Sequence, residues 1–72
     1  MKWHYNIIKS IAGFYVSEVF KENDEIEMYS EPISGYYETK AELLKDQRRI
    51  FRDCMKYKVI KEKDLPKPDL VS

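Results

Sequence analysis

Apolar side chains recur at about every second position over the first thirty residues, and after Thr39 they recur at helical spacing. Lys2 to Lys9 sets Trp3, Tyr5 and Ile7 on one face and His4, Asn6 and Ile8 on the other, the period of a strand. Ser10 to Gly13 has the small residues of a turn. Beyond it Phe14, Val16, Glu18 and Phe20 alternate with Tyr15, Ser17 and Val19 through a second strand. The polar run Lys21, Glu22, Asn23, Asp24 predicts a hairpin turn, because Asn and Asp tolerate left-handed φ or bond their own backbone. A third strand follows over Glu25 to Ser30, with Ile26 and Met28 on one face and Glu25, Glu27 and Tyr29 on the other. Its acidic outer face suits solvent or an exposed edge.

Glu31 to Glu38 reads as a connection, since Pro32 has no N–H for a ladder and Ser34-Gly35 is a turn signal. Tyr36 and Tyr37 stand where one of them packs on the first helical turn. Thr39 to Tyr57 then reads as one helix, opened by a capping box in which the Thr39 hydroxyl accepts from the Glu42 N–H and the Glu42 side chain reaches back to the Thr39 N–H. At 100° per residue, Leu43, Leu44, Ile50, Phe51, Cys54 and Met55 fall in one core-facing arc, with Gln47 near its middle. Lys45, Arg48, Arg49, Arg52 and Lys56 gather on the opposite side. Val59 and Ile60 suit a short extended segment returning to the sheet.

This order predicts an α+β fold: a three-stranded antiparallel meander followed by one long amphipathic helix packed on one face, β-β-β-α. Trp3, Tyr5, Phe14, Val16, Phe20, Ile26 and Met28 are expected beneath the helix. Tyr15, Val19 and Tyr29 then remain on the other face, where exposed aromatics mark a surface for association. Residues 1–60 are expected to form a single domain. Residues 61–72, charged and carrying Pro66 and Pro68, read as a mobile tail unless Leu65, Leu70 or Val71 docks.

Composition narrows the function classes. With 72 residues the core barely offsets chain entropy, and the short chain together with the spare aromatics Tyr15 and Tyr29 predicts a homodimer. Thirteen basic and thirteen acidic side chains cancel, which argues against nonspecific nucleic-acid binding by the whole surface. The distribution is uneven: six acids lie between Glu18 and Glu31 against Lys21 alone, and the helix carries six bases against three acids. The domain should be a dipole. Cys54 is the only cysteine, so an intramolecular disulfide and a cysteine-based zinc cluster are excluded, and its place on the apolar arc suits a reduced core thiol. No apolar run approaches the ~18 residues of a membrane span, and the amino terminus lacks the apolar stretch of a signal peptide. A cytoplasmic location, away from membranes, is expected.

Little in the pattern carries chemistry. His4 is the only histidine and lacks partners at metal-ligand spacing, so it reads as a strand residue at an edge or dimer surface. Cys54 as a nucleophile would need an activating base, and it faces the core. Glu25 with Glu27, and Asp46 with Asp53, are carboxylate pairs by spacing; the simpler reading is a solvated edge and Asp46–Arg49 and Asp53–Lys56 helical pairs. Two glycines cannot build a phosphate loop. No catalytic, metal or cofactor-binding residue is expected. The basic stripe of Lys45, Arg48, Arg49, Arg52 and Lys56 is either a solvated helix face or a surface that tracks phosphates or an acidic protein.

Gly13-Phe14-Tyr15-Val16, then Tyr37-Glu38-Thr39 and Glu42-Leu43, resemble the strand and the capped helix of the HicB-like group of small antitoxin-type domains, and of short bacterial and phage proteins with the same order of elements. The likeness covers roughly residues 3–58. It implies a non-enzymatic module that dimerises and binds a small toxin, with no catalytic or DNA-contacting residue to carry over. The expected function is therefore a regulatory or inhibitory module that binds a partner protein, with Tyr15, Tyr29 and the basic stripe as its surface. The alternative is a nucleic-acid accessory using that stripe.

Overall fold

The computed structural model describes residues 2–66. Four strands, β1 (Lys2–Ser10), β2 (Gly13–Glu22), β3 (Glu25–Tyr29) and β4 (Ile60–Lys61), form one sheet in the order β3-β2-β1-β4. β1 and β2 pair antiparallel from Lys2↔Lys21 to Ser10↔Gly13, and β2 pairs antiparallel with β3. β4 pairs parallel with β1 through Ile8↔Ile60 and Lys9↔Lys61. The expected fold is corrected in two respects. The sheet is mixed and four-stranded, because the segment after the helices returns to the free edge of β1 instead of stopping at a meander. Two short helices replace the one long helix: α1 (Lys40–Asp46), then a 3-10 turn (Arg48–Ile50) running into α2 (Phe51–Lys56).

The two hairpin turns follow from local chemistry. Asn23 and Asp24 both take positive φ, 54° and 64°, as a tight primed hairpin turn requires. In the β1–β2 turn the Ser10 hydroxyl donates to the Gly13 carbonyl at 3.0 Å and accepts from the Ala12 N–H at 3.1 Å. A register shift at Phe20/Lys21 separates the partners Phe20↔Met28 and Lys21↔Ile26, leaving Glu27 as the extra residue. Ile26 and Met28, expected on one face, therefore fall on opposite faces, since a bulge reverses the alternation beyond it.

The connection from Ser30 to Tyr37 runs along the outer edge of β2 and completes its ladder. The Val16 N–H donates to Ser34 Oγ at 3.0 Å and the Glu18 N–H to Ser30 Oγ at 2.9 Å, while Phe14 and Tyr37 exchange both backbone bonds at 2.7 and 2.8 Å. Serine hydroxyls thus serve as acceptors for β2, and the Ser30 and Ile33 N–H groups donate in return to the Glu18 and Val16 carbonyls, each at 2.9 Å.

α1 begins with one half of the expected capping box, Thr39 Oγ1 accepting from the Glu42 N–H at 3.2 Å. It ends at Gln47, whose ψ of 57° leaves the helical region. The Gln47 N–H still closes the last turn on the Leu43 carbonyl at 2.8 Å, and its side-chain amide donates to the Tyr37 hydroxyl at 3.1 Å.

Both faces of the sheet are covered, each in part. Ile7 and Val16 on one face pack with Leu43, Ile50 and Cys54, all buried. On the other face Ile8 and Tyr15 pack with Leu65, and Ile26, Tyr29 and Ile60 lie against them. Beyond residue 60, Leu65 is the one of the three expected docking residues that lies within the described part of the chain, and it docks. Lys61 is in β4, Glu62–Asp64 form a 3-10 turn, and Leu65 is buried because Ile8 and Tyr15 offer it an apolar seat. Leu70 and Val71 lie outside the described residues. At the edge of β1 beyond β4, Asp53 of α2 accepts the Tyr5 N–H on Oδ2 at 3.0 Å. That use replaces the helical pair with Lys56 as the structural role of Asp53.

Candidate interaction surface

The helices cover one half of their sheet face. Trp3, Phe20 and Met28 form a cross-strand row on that face, through the pairs Trp3↔Phe20 and Phe20↔Met28. Helical segments meet the sheet at Ile7 and Val16, toward the other end of the same face, and the row is left outside them. Trp3 is 53% and Met28 52% exposed, against 1% or less for Ile7 and Val16. Trp3 is held in place by neighbours, with the Tyr5 ring edge-on at 5.3 Å and the Phe20 ring at 6.4 Å. The expectation that this row lies beneath a helix is corrected for Trp3 and Met28, which stay more than half exposed, and the core that the helices form with the sheet gathers at Ile7 and Val16 instead. Glu18 and Glu22 share the face of the row by alternation along β2.

A second apolar surface lies on the helices. The arc from Leu43 to Met55 spans about 140°, wider than the roughly 100° one core contact needs. It divides into two stripes of equal spacing. Leu43, Ile50 and Cys54 face the core, whereas Phe51 is 46% and Met55 63% exposed and Leu44 is half-buried. Ala41, Leu44 and Phe51 line an open groove with Lys45 and Arg48 beside them. The sequence carries both spacings, and the outer stripe is separated from the core stripe by about 100°.

The five expected basic residues are all exposed, and they do not form one stripe. Lys45 ends α1 and Arg48 opens the 3-10 turn, and these two meet at the groove. Arg49 and Arg52 stand apart from it. Lys56 reaches over the Tyr57 ring at 5.5 Å, where Lys21 also lies at 5.4 Å.

Neither expected tyrosine is a free contact residue. Tyr15 is buried, its hydroxyl donating to Glu62 Oε2 at 2.7 Å, and Tyr29 is half-buried against the second core. The residues after β4 fold back onto that face and account for the correction. Burial, aided by the Glu62 carboxylate, raises the Tyr15 pKa above its ordinary range.

The groups with chemical capacity are sealed in the fold. Cys54 is buried, and burial pushes its thiol up to about 11, opposite to what a nucleophile requires. His4, on the part of β1 that β4 does not reach, is buried and stacks on Tyr57 with ring centroids 3.5 Å apart and planes at 8°. Its Nδ1 donates to the Tyr5 carbonyl at 3.0 Å, because a carbonyl oxygen only accepts. Its Nε2 and the Ser17 hydroxyl are buried without a hydrogen-bond partner. Among the described residues no three His, Cys, Asp or Glu side chains gather as a metal site would require, and no helix is long and apolar enough to cross a membrane.

Comparison with known proteins gives no kinship: no family model, no curated protein and no solved structure matches the chain.

Proposed function

We propose that this chain is a small non-enzymatic binding module of the cytoplasm, regulatory or inhibitory in the manner of antitoxins and phage-encoded inhibitors, that acts by direct association with protein. One observation carries the reading. The row Trp3, Phe20 and Met28 is apolar, crosses three strands of a rigid sheet, and has more than half of Trp3 and of Met28 open to solvent. Aromatic and methionine side chains so displayed are the residues enriched at the centres of protein interfaces. The raised, buried Cys54 thiol and the stacked His4 support a non-enzymatic role, and a reduced core thiol suits the cytoplasm.

Nucleic-acid binding is less well supported. The break at Gln47 divides the cations, and an apolar row flanked by Glu18 and Glu22 offers nothing to phosphate.

Affinity capture from the native host with tagged wild-type and Met28→Glu proteins tests the reading. The wild type should recover a protein that the variant loses, at a salt concentration that strips nucleic acid. Equal recovery by both proteins, or recovery of nucleic acid alone, would overturn it.

A further inference from the structure

The sheet row and the helical groove are chemical complements. The sheet row has an apolar centre of Trp3, Phe20 and Met28 with Glu18 and Glu22 on its face. The helical surface has an apolar groove lined by Ala41, Leu44 and Phe51, with Lys45 and Arg48 beside them. We propose that a second copy of this chain covers the row, in a two-fold dimer in which the helical surface of each protomer lies on the bare half of its partner's sheet. The proposal rests on the binding reading above and names the occupant of that surface.

Charge complementarity between the two surfaces selects a second copy. A nucleic acid matches the cations beside the groove and leaves the acidic sheet row bare. An unrelated acidic protein does the same. A second copy satisfies both surfaces at once, and a two-fold axis makes each contact twice and closes the assembly, where a head-to-tail contact would leave one surface of each kind open. Copies meet without net repulsion, since the chain's formal charge is zero, and the opposed patches steer them into register. The dimer also finishes what the fold began, because the partner's helices extend the helical layer over the half of the sheet that α1 and α2 do not reach.

Trp3 is the only tryptophan and lies in the row, so its fluorescence reads the contact directly in the wild-type chain. Sedimentation equilibrium should give a dimer at high micromolar concentration, and dilution should shift Trp3 emission to the red over the range in which the dimer dissociates. A dimer whose Trp3 emission ignores dilution would overturn the proposal.

Charge reversal supplies the second arm. Lys45→Glu with Arg48→Glu makes both surfaces of a protomer acidic, and Glu18→Lys with Glu22→Lys makes both basic. Each double variant, shown to be folded by circular dichroism, should self-associate more than about tenfold more weakly than wild type, since like charges across an interface cost several kcal/mol. Mixed together they should restore a heterodimer, because both contacts are then of opposite charge. Variants that dimerise as wild type, or a mixture that stays monomeric, would overturn it. A wild-type chain that stays monomeric while capturing a host protein through Met28 would overturn the dimer and leave the binding reading standing.

Discussion

Gly13 and Tyr37 approach so closely that a Cβ built on Gly13 meets the Tyr37 carbonyl oxygen at 2.5 Å. Gly13 also holds φ at +125°, a conformation open to glycine and strained for any other residue. The contact arises because Phe14 and Tyr37 exchange backbone hydrogen bonds, which draws the connection onto the first residues of β2. Gly13→Ala should cost about 1–3 kcal/mol from backbone strain and more from the clash. Gly35→Ala, with nothing within 4 Å of the added Cβ, should be far milder. Urea unfolding of the two variants checks the pair; equal stabilities would contradict the geometry.

The division of the helical arc makes a second comparison. Leu43 is fully buried among Ile7, Val16, Ile50 and Cys54, whereas its neighbour Leu44 is half-buried at the open groove. Leu43→Ala should therefore cost about 2–5 kcal/mol, the range of a core leucine deletion. Leu44→Ala should cost clearly less and weaken self-association instead. A larger stability loss at Leu44 would mean that the helices face the other way.

What the chain made legible was local. Alternation set the strands, Asn23-Asp24 set the second hairpin, and Thr39 with Glu42 set the start of α1, because each depends on residues within a few positions. The break at Gln47 was not legible. Neither glycine nor proline marks it, and the bonds around it include one to the Tyr37 hydroxyl, ten residues back in the chain. The fourth strand was half legible: Val59 and Ile60 suggest extension, but nothing local says that Ile60 will lie parallel to Ile8. The candidate surface suffered in the same way. Trp3 and Phe20 were read onto the correct face, but whether a helix covers them depends on where the helix stops. Tyr15 was read onto the correct face too, and the seat that Leu65 takes beside it hid it from solvent.

Asp53 ties α2 to the edge of β1 through the Tyr5 N–H, at a point that β4 is too short to protect. Asp53→Ala removes the acceptor and leaves a part-buried donor unpaired, which should cost about 1–3 kcal/mol. Asp53→Asn keeps a carbonyl oxygen in reach and should lose less. Amide exchange at Tyr5 gives a direct readout: protection should fall in the alanine variant and persist in the asparagine variant. Unchanged protection in both would assign the Tyr5 N–H to another acceptor.

Both resolved acid–base shifts point to alkaline lability. Burial among Ile7, Val16, Leu43 and Ile50 raises the Cys54 thiol from an ordinary 9.0 to about 11, with the adjacent Asp53 carboxylate adding to the effect and Lys40 opposing it. Tyr15 is likewise raised from 10.0 by burial first and by its bond to Glu62 second. A raised pKa in the fold means that the folded chain keeps its proton where the unfolded chain has released it. The Cys54 contribution is thus complete below pH 9 and is lost as pH rises toward about 11, and Tyr15 follows from pH 10 upward. At 1.36 kcal/mol per unit, Cys54 accounts for about 2–3 kcal/mol of that loss. Unfolding free energies measured from pH 7 to 11 should fall more steeply for wild type than for Cys54→Ala, the difference opening above pH 9. Tyr15→Phe should lose stability at neutral pH, where its hydroxyl no longer reaches Glu62, yet decline less than wild type above pH 10. Profiles of wild type and Cys54→Ala that run parallel through this window would show that the thiol is not held in the buried core.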